Sequence, residues 1–209
     1  MKTAFALLTI LSLLSTPKSK MGKTLQGEYY LHIHEMGSAF NFTKDGTFEF
    51  YFSYGAIDRT ANGTYSIERD TLKLHSDKEP CKDFPITKQD KKGKGYTIKV
   101  SDPNTYLLKY IKCMYFVGDV EKEVRTDDQG MVHIDEPHCD KIYLQHELFP
   151  DVASLIKDTD NENTNFEVTL SPSLVNVSFK GIDFIIDGNS ISCLPNYFMP
   201  YDNIRYTKE

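Results

Sequence analysis

The chain has 209 residues, which is enough for one ordinary domain or two small ones and too many for a disulfide miniprotein. Hydrophobic residues make up 40% and charged residues 26%, which indicates a globular protein and excludes disordered and collagen-like chains. The formal net charge is -6, and no long basic run is present. The composition therefore argues against nucleic acid or an anionic membrane surface as the main partner.

Residues 1–20 have the pattern of a secretory signal peptide. Lys2 precedes an apolar stretch from Ala4 to Leu14, and Ser, Thr, Pro and Lys follow. This stretch is far shorter than the roughly 20 residues that span a bilayer, and no later segment is long enough either. No Cys follows it, so a bacterial lipoprotein is not expected. We expect a secreted or periplasmic protein without an integral membrane segment after signal removal; an uncleaved anchor is the alternative.

The four cysteines, Cys81, Cys113, Cys139 and Cys193, are widely spaced. In an oxidising compartment an even number suggests two disulfides, and the connectivity cannot be chosen from the sequence. Free buried cysteines are the alternative. The spacing excludes CxxC redox chemistry and ordinary zinc knuckles.

Apolar residues alternate with period two along most of the chain, which predicts an all-β protein. A three-residue loop with Gly46 in a left-handed conformation would pair Phe42 with Phe48 and Phe40 with Phe50. This register gives one continuous aromatic face, which a two-residue turn would not. The aromatic face could line a small apolar pocket or form ordinary core.

A second hairpin is predicted around a two-residue turn at Arg69-Asp70, with Ile67 opposite Leu72 and Tyr65 opposite Leu74. A helical turn is expected only within residues 151–157. Later strands are predicted at 84–87, 96–100, 106–117, 141–144, 165–170, 174–179, 183–186 and 204–207, with a hairpin around an Asp/Gly turn at 123–134.

Several motifs resemble the opening of lipocalin-like domains, which are common in exported bacterial proteins. They are Leu25-Gln26-Gly27-Glu28-Tyr29, the DGTF sequence at 45–48, Gly63-Thr64-Tyr65-Ser66-Ile67 and Asp70-Thr71-Leu72. Gly27-Glu28-Tyr29 stands where lipocalins usually carry Gly-x-Trp. The resemblance implies an antiparallel lipocalin-like meander or partial barrel, with a small apolar compound as the ligand.

A second resemblance lies further along the chain. Arg125-Thr126-Asp127, Gly130-Met131-Val132 and Ile142-Tyr143-Leu144 resemble the T-D-x-x-G hairpin of prealbumin-like or carboxypeptidase-regulatory-like β-sandwiches, modules usually without catalysis. The expected organisation is a signal peptide (1–20), a lipocalin-like meander (21–94) and a second, sandwich-like β region (95–209). One core shared by the two regions is the open alternative.

His32 and His34 are the best candidates for a metal site. Residues two apart on a strand point the same way and can place two imidazoles on one ion. His133, His138 and Cys139 could complete such a site. Histidines that lie on the polar face of a strand without any metal are the alternative.

No catalytic residue and no cofactor motif are recognised. The sequence lacks a G-x-S-x-G elbow, an S-x-x-K motif and a phosphate-binding glycine loop. We therefore predict an exported noncatalytic β protein that binds an unidentified small apolar ligand or an envelope protein partner. The alternatives are a hydrolase with dispersed catalytic residues and a protein-interaction module.

Overall fold

The computed structural model describes residues 24–209, so the predicted signal peptide lies outside the described residues. The described chain is all-β, as predicted. No helix within it has the length and apolar character needed to cross a bilayer.

Strands at the two ends of the described chain form a barrel, and the strands between them form a sandwich. The first five are β1 (Gly27–Ile33), β2 (Met36–Phe42), β3 (Thr47–Tyr54), β4 (Ile57–Glu68) and β5 (Thr71–Ser76). The middle comprises β6 (Ile86–Asp90), β7 (Tyr96–Ser101), a 3₁₀ helix (Thr105–Tyr110), β8 (Ile111–Val117), β9 (Val120–Arg125), β10 (Met131–Ile134), β11 (Lys141–His146), β12 (Ser154–Lys157) and β13 (Asn165–Thr169). The last three are β14 (Asp183–Asp187), β15 (Ser190–Cys193) and β16 (Ile204–Lys208).

The barrel is closed and has eight antiparallel strands in the order β1-β16-β15-β14-β5-β4-β3-β2. The expected division at residues 94 and 95 placed the last three strands in the second region, but they lie in the barrel. The strands β1 to β5 alone would leave an unpaired edge at both ends, and exposed edges are open to aggregation. Pairing of β1 with β16 and of β5 with β14 covers both edges, so the meander closes instead of forming a partial barrel.

Both predicted hairpin registers are confirmed. Phe42 lies opposite Phe48 and Phe40 lies opposite Phe50, and Gly46 has a φ of 89°. The second hairpin pairs its residues as predicted, around a turn in which Arg69 has a φ of 61°. Turn chemistry and the two-residue period together set these registers.

Aromatic side chains fill the interior of the barrel. Phe40 is fully buried, and its ring lies between 4.6 and 6.2 Å from six other aromatic rings. The rings are those of Phe42, Phe48, Phe50, Phe179, Phe184 and Tyr206. The predicted aromatic face is therefore packed core.

The sandwich is inserted between β5 and β14. Its first sheet has the order β10-β7-β13-β6 and its second sheet the order β12-β11-β8-β9. Neighbours are antiparallel except β7 and β13, which are parallel. The two sheets enclose a separate core with Ile98, Ile142 and Phe166 at its centre. Ser76 Oγ donates to Val177 O at 2.6 Å, so the chain leaves the barrel and returns to it at adjacent points.

The predicted hairpin at 123–134 is not formed, although its Asp/Gly turn is present. Asp127 Oδ1 accepts from the backbone N–H groups of Gln129 and Met131, at 2.9 and 2.8 Å. The strands on either side, however, pair with β8 and β7 in opposite sheets. The Thr126 hydroxyl donates to Leu108 O and holds the chain where it crosses between the sheets.

Three other local expectations differ from the structure. Residues 105–110 form the 3₁₀ helix instead of the start of a long strand, and Asn104 Oδ1 accepts from the Tyr106 N–H at its beginning. Residues 154–157 form a strand instead of a helical turn. Residues 174–179 contain only a single bridge, between Asn176 and Thr60.

All four cysteines are free, and no two of them lie within disulfide distance. Burial raises the pKa of the Cys113 thiol to about 12 and that of the Cys139 thiol to about 11. The two thiols are therefore protonated and unreactive at neutral pH in this conformation.

Candidate functional site

A cleft of about 490 Å³ lies where the barrel meets the second sandwich sheet. We call it the junction cleft. Its aromatic lining consists of Phe52, Tyr54, Tyr197, Phe198 and Tyr201. Its polar lining consists of Arg59, Lys112, Gln145 and Glu147.

Arg59 forms part of the cleft floor and joins the two halves of the molecule. Its side chain is buried, with Nη1 donating to Pro150 O at 2.6 Å and Nη2 to Asn176 O at 2.9 Å. Nε donates to Val175 O at 3.4 Å, and the guanidinium lies 5.5 Å from the Phe198 ring centroid. Burial lowers the pKa of Arg59 from its usual value, and nearby carboxylates partly oppose this effect. Because each of its nitrogens is engaged, Arg59 is a structural cation.

Behind Arg59 lies the junction ion cluster, which consists of Lys78, Asp83, Asp151 and Ser178. Lys78 Nζ lies 2.9 Å from Asp83 Oδ1 and 3.1 Å from Asp151 Oδ2, and all three side chains are almost fully buried. Asp83 Oδ1 forms an ion pair with Lys78 but no hydrogen bond. Asp83 Oδ2 accepts a hydrogen bond from Lys78 Nζ at 3.1 Å. Asp151 also accepts from the Ser178 hydroxyl at 2.6 Å and from its N–H at 3.0 Å. With Arg59, the cluster balances two cations against two carboxylates.

Burial raises the pKa of Asp83 from its usual value, while Lys78 opposes the rise. Asp83 lies just before the sandwich strands, and Asp151 lies in the loop between β11 and β12. Ser178 belongs to the segment that returns to the barrel. The cluster therefore attaches the sandwich to the barrel.

The charged groups at the mouth of the cleft are paired with one another. Lys112 Nζ lies 3.5 Å from Glu123 Oε2, and Arg125 Nε lies 2.8 Å from Glu147 Oε1. Gln145 Nε2 donates to a backbone carbonyl of the adjoining loop at 2.7 Å. The mouth therefore combines polar groups with little net charge.

The segment between β15 and β16 supplies three of the aromatic side chains. Asn196 Oδ1 accepts from the N–H groups of Phe198 and Met199, at 3.3 and 3.0 Å, and this fixes the turn. Phe198 packs against the rings of Phe50 and Phe52, with centroids 5.9 and 6.0 Å away. The barrel core thereby sets the position of the segment.

Two tyrosine hydroxyls in the cleft have no hydrogen-bond partner among the described residues. They belong to Tyr54, which is 44% exposed, and to Tyr201, which is half-buried. Tyr197 differs from them because it is mostly buried beside Asp151, and its burial raises its pKa. The cleft therefore offers partly exposed aromatic rings and free hydroxyl groups to a ligand.

His146 positions the wall of the cleft near Leu148. Its Nδ1 accepts from the Leu148 N–H at 3.2 Å, so the neutral ring carries its proton on Nε2, which donates to Leu107 O at 3.1 Å. Burial lowers the pKa of His146 to about 4. The ring is therefore neutral at pH 7, and both of its nitrogens hold backbone groups.

We expect His146 to make folding stability depend on pH between about 6.5 and 4. In that range the unfolded chain binds a proton that the folded chain does not, so stability falls as pH falls, by up to about 3 kcal/mol. Urea unfolding at pH 7, 5.5 and 4 should show a steeper decline for the native chain than for His146→Gln. Parallel declines in the two proteins would contradict this assignment.

The predicted metal residues are His32, which lies in β1, and His34, which lies in the turn that follows β1. His32 Nε2 lies 3.3 Å from Glu209 Oε1, and His34 Nδ1 lies 3.8 Å from Glu35 Oε1. Both imidazoles are mostly exposed. The proposal that they bind a metal stays a prediction.

The residues expected to complete that metal site lie in the sandwich. His133 Nδ1 is 3.2 Å from the Thr97 hydroxyl, His138 Nε2 is 3.0 Å from Asp140 Oδ1, and Cys139 is buried. Among residues 24–209 there is no group of three or more His, Cys, Asp or Glu side chains placed to hold a metal ion. The structure does not bring these residues together with His32 and His34.

The sequence-based prediction missed the junction cleft. Tyr197, Phe198 and Tyr201 are close together in a segment without strand alternation, which is a signal that could have indicated a binding surface. Comparison of the chain with protein-family models, with curated proteins and with solved structures gave no match.

Proposed function

We propose that this chain is an exported, noncatalytic binding protein that holds its ligand in the junction cleft. The observation that carries the proposal is the group of aromatic rings in an open cleft that also contains paired charges, an amide and free hydroxyls. Concave sites with ring faces and a few polar groups are typical ligand sites. Export rests on the N-terminal sequence pattern.

The barrel and the sandwich serve as supports in this proposal. The closed eight-stranded barrel is compatible with a lipocalin-like fold. We propose that it is a lipocalin-like barrel with a filled interior, and that the inserted sandwich is prealbumin-like. Two four-stranded sheets with one parallel pair support the second assignment. In this proposal the ligand binds at the junction between the barrel and the sandwich, whereas a lipocalin-like barrel would hold it in the barrel interior.

The arrangement of the acidic groups favours binding over hydrolysis, since Glu147, the carboxylate that lines the cleft, is paired with Arg125. Asp83 and Asp151, the buried carboxylates next to the cleft, are held by Lys78 and, for Asp151, by Ser178. A general acid or base must reach the proton that it transfers. Both carboxylates contact Lys78 behind Arg59, and neither lines the cleft. They therefore support the cleft from behind.

A fragment screen by ligand-observed NMR tests the proposed site. Mixed fragments should include binders whose affinity falls at least about tenfold in the double variant Tyr54→Ala/Tyr201→Ala, because both cleft rings with free hydroxyls are lost. Tyr51→Ala is a matched control, since Tyr51 is also on β3 and is 48% exposed but does not line the cleft. Fragments that bind equally to all three proteins would place the ligand site elsewhere.

A further inference from the structure

We infer that the junction cleft binds a neutral oligosaccharide. This inference rests on the proposed function, because it names the ligand class of the same site. The chemical groups in the cleft suit such a ligand, and the cleft is poorly suited to an anion, to a peptide added as a strand and to a lipid chain.

The cleft has no free cation for a phosphate or carboxylate ligand. Within the described residues its lining contains two cations, Arg59 and Lys112. Arg59 donates to three backbone carbonyls, and Lys112 pairs with Glu123. An anion would have to break these contacts, whereas an uncharged ligand leaves them intact.

The strands that line the cleft also cannot accept a peptide as an added strand. In the barrel, β3 pairs with β2 and β4, and β4 pairs with β3 and β5. In the sandwich, β8 pairs with β9 and β11, and β11 pairs with β8 and β12. Strand addition needs an unpaired edge, and none of these four strands has one.

A lipid chain has no enclosed apolar tunnel to enter at this site. The barrel interior is occupied by Phe40 and its neighbours, and the cleft floor contains Arg59. The rings of Tyr54 and Tyr201 instead combine an apolar face with a hydroxyl at its edge. This combination fits a ligand that is itself apolar on its faces and polar at its edges.

A pyranose ring has that distribution, with C–H groups on its faces and hydroxyls around its edge. Its faces can stack on the tyrosine rings, while its hydroxyls can exchange hydrogen bonds with Gln145, Glu147 and the two free tyrosine hydroxyls. Lys112 and Glu147, although each is already in an ion pair, can still form further hydrogen bonds with an uncharged ligand. The cleft thus matches an uncharged sugar both in its aromatic rings and in its hydrogen-bonding groups.

The surface beside the cleft indicates a ligand with several rings. Lys112 and Gln145 lie opposite each other on β8 and β11, and the next outward pair along these strands is Met114 and Tyr143. Phe116 follows, with its ring 5.9 Å from that of Tyr143. These half-buried side chains lie outside both hydrophobic cores. They extend the aromatic surface by about 13 Å, the length of four strand residues.

Isothermal titration of the full mature chain with neutral hexasaccharides tests the inference. The probes are cellohexaose, xylohexaose, mannohexaose, maltohexaose, laminarihexaose and chitohexaose. At least one should bind, and its affinity should fall about tenfold or more in Tyr54→Ala/Tyr201→Ala while Tyr51→Ala leaves it unchanged. The matching disaccharide should bind more weakly than the hexasaccharide, because it cannot also reach Tyr143.

The outcomes separate this inference from the proposed function. Failure of all six hexasaccharides to bind, together with fragments that depend on Tyr54 and Tyr201, would overturn the sugar assignment and leave the cleft as the ligand site. Failure of both screens would overturn both. Hexasaccharide binding that is the same in the double variant and the native chain would also overturn the sugar assignment at this cleft.

Discussion

Replacing Asp151 with alanine is expected to lower the free energy of unfolding by about 3–5 kcal/mol, because it leaves Lys78 underpaired in a buried site. Asp151 Oδ2 forms an ion pair with Lys78 Nζ at 3.1 Å, and Asp151 accepts hydrogen bonds from the Ser178 hydroxyl and N–H at 2.6 and 3.0 Å. The substitution removes all these contacts together. Urea unfolding, followed by circular dichroism, measures the loss.

A surface ion pair provides the control for this experiment. Lys73 Nζ lies 2.9 Å from Glu68 Oε2, a distance similar to those in the junction ion cluster, but both side chains are exposed. Solvent screens such pairs, so Lys73→Ala should destabilise far less than Asp151→Ala. Equal losses in the two variants would mean that the junction ion cluster does not hold the sandwich to the barrel.

Phe40→Ala is expected to destabilise the protein by about 3–5 kcal/mol, as is typical of removing a buried aromatic side chain. Phe40 is fully buried at the centre of the barrel, and its ring lies 4.6 Å from Phe50 and 4.8 Å from Tyr206. The closed sheet restricts collapse around the missing ring, so the substitution leaves a cavity. The midpoint of urea unfolding should fall while its slope stays the same.

Phe116→Ala is the matched control for the loss of a phenylalanine ring. Phe116 lies on the outward face of the second sandwich sheet and is only half-buried. Its replacement should reduce stability much less, because water already reaches the ring. If Phe40→Ala were tolerated as well as Phe116→Ala, the barrel would have to contain free space, and an interior ligand site would again be favoured.

The parts of the fold that could be predicted are those with local causes. Gly46 permits the turn that places Phe42 opposite Phe48, so a short stretch of sequence specifies that register. The same holds for the turn at Arg69, and period-two alternation identified most of the strands. Each of these features depends on residues that are close along the chain.

Barrel closure could not be predicted because its decisive pairs are distant in sequence. Leu31 lies opposite Tyr206, and Leu72 lies opposite Phe184, with the whole sandwich between them in the chain. Neither strand of such a pair contains a signal for its partner. The aromatic face around Phe40 was correctly located, but its burial depends on rings that β14, β16 and the segment before β14 supply.

The junction cleft as a whole could not be predicted from the sequence for the same reason. Tyr54, Lys112 and Tyr201 come from three distant parts of the chain and meet only after the barrel has closed against the sandwich. By contrast, His32 and His34 attracted attention because they are close in sequence. Proximity along the chain gave the two histidines a pattern, whereas the cleft residues other than Tyr197, Phe198 and Tyr201 form none until the chain has folded.

Insertion of the sandwich between β5 and β14 also sets the order in which parts of the barrel are synthesised and can pair. The strands β1 to β5 are synthesised first, and both edges of their sheet must wait while residues 77–182 are made. At typical synthesis rates this takes roughly 5 to 20 s, far longer than a hairpin needs to form. A nascent chain of this protein therefore passes through a stage in which the edges of β1 and β5 are unpaired and open to aggregation. Chaperones that shield such edges would increase the amount of folded protein.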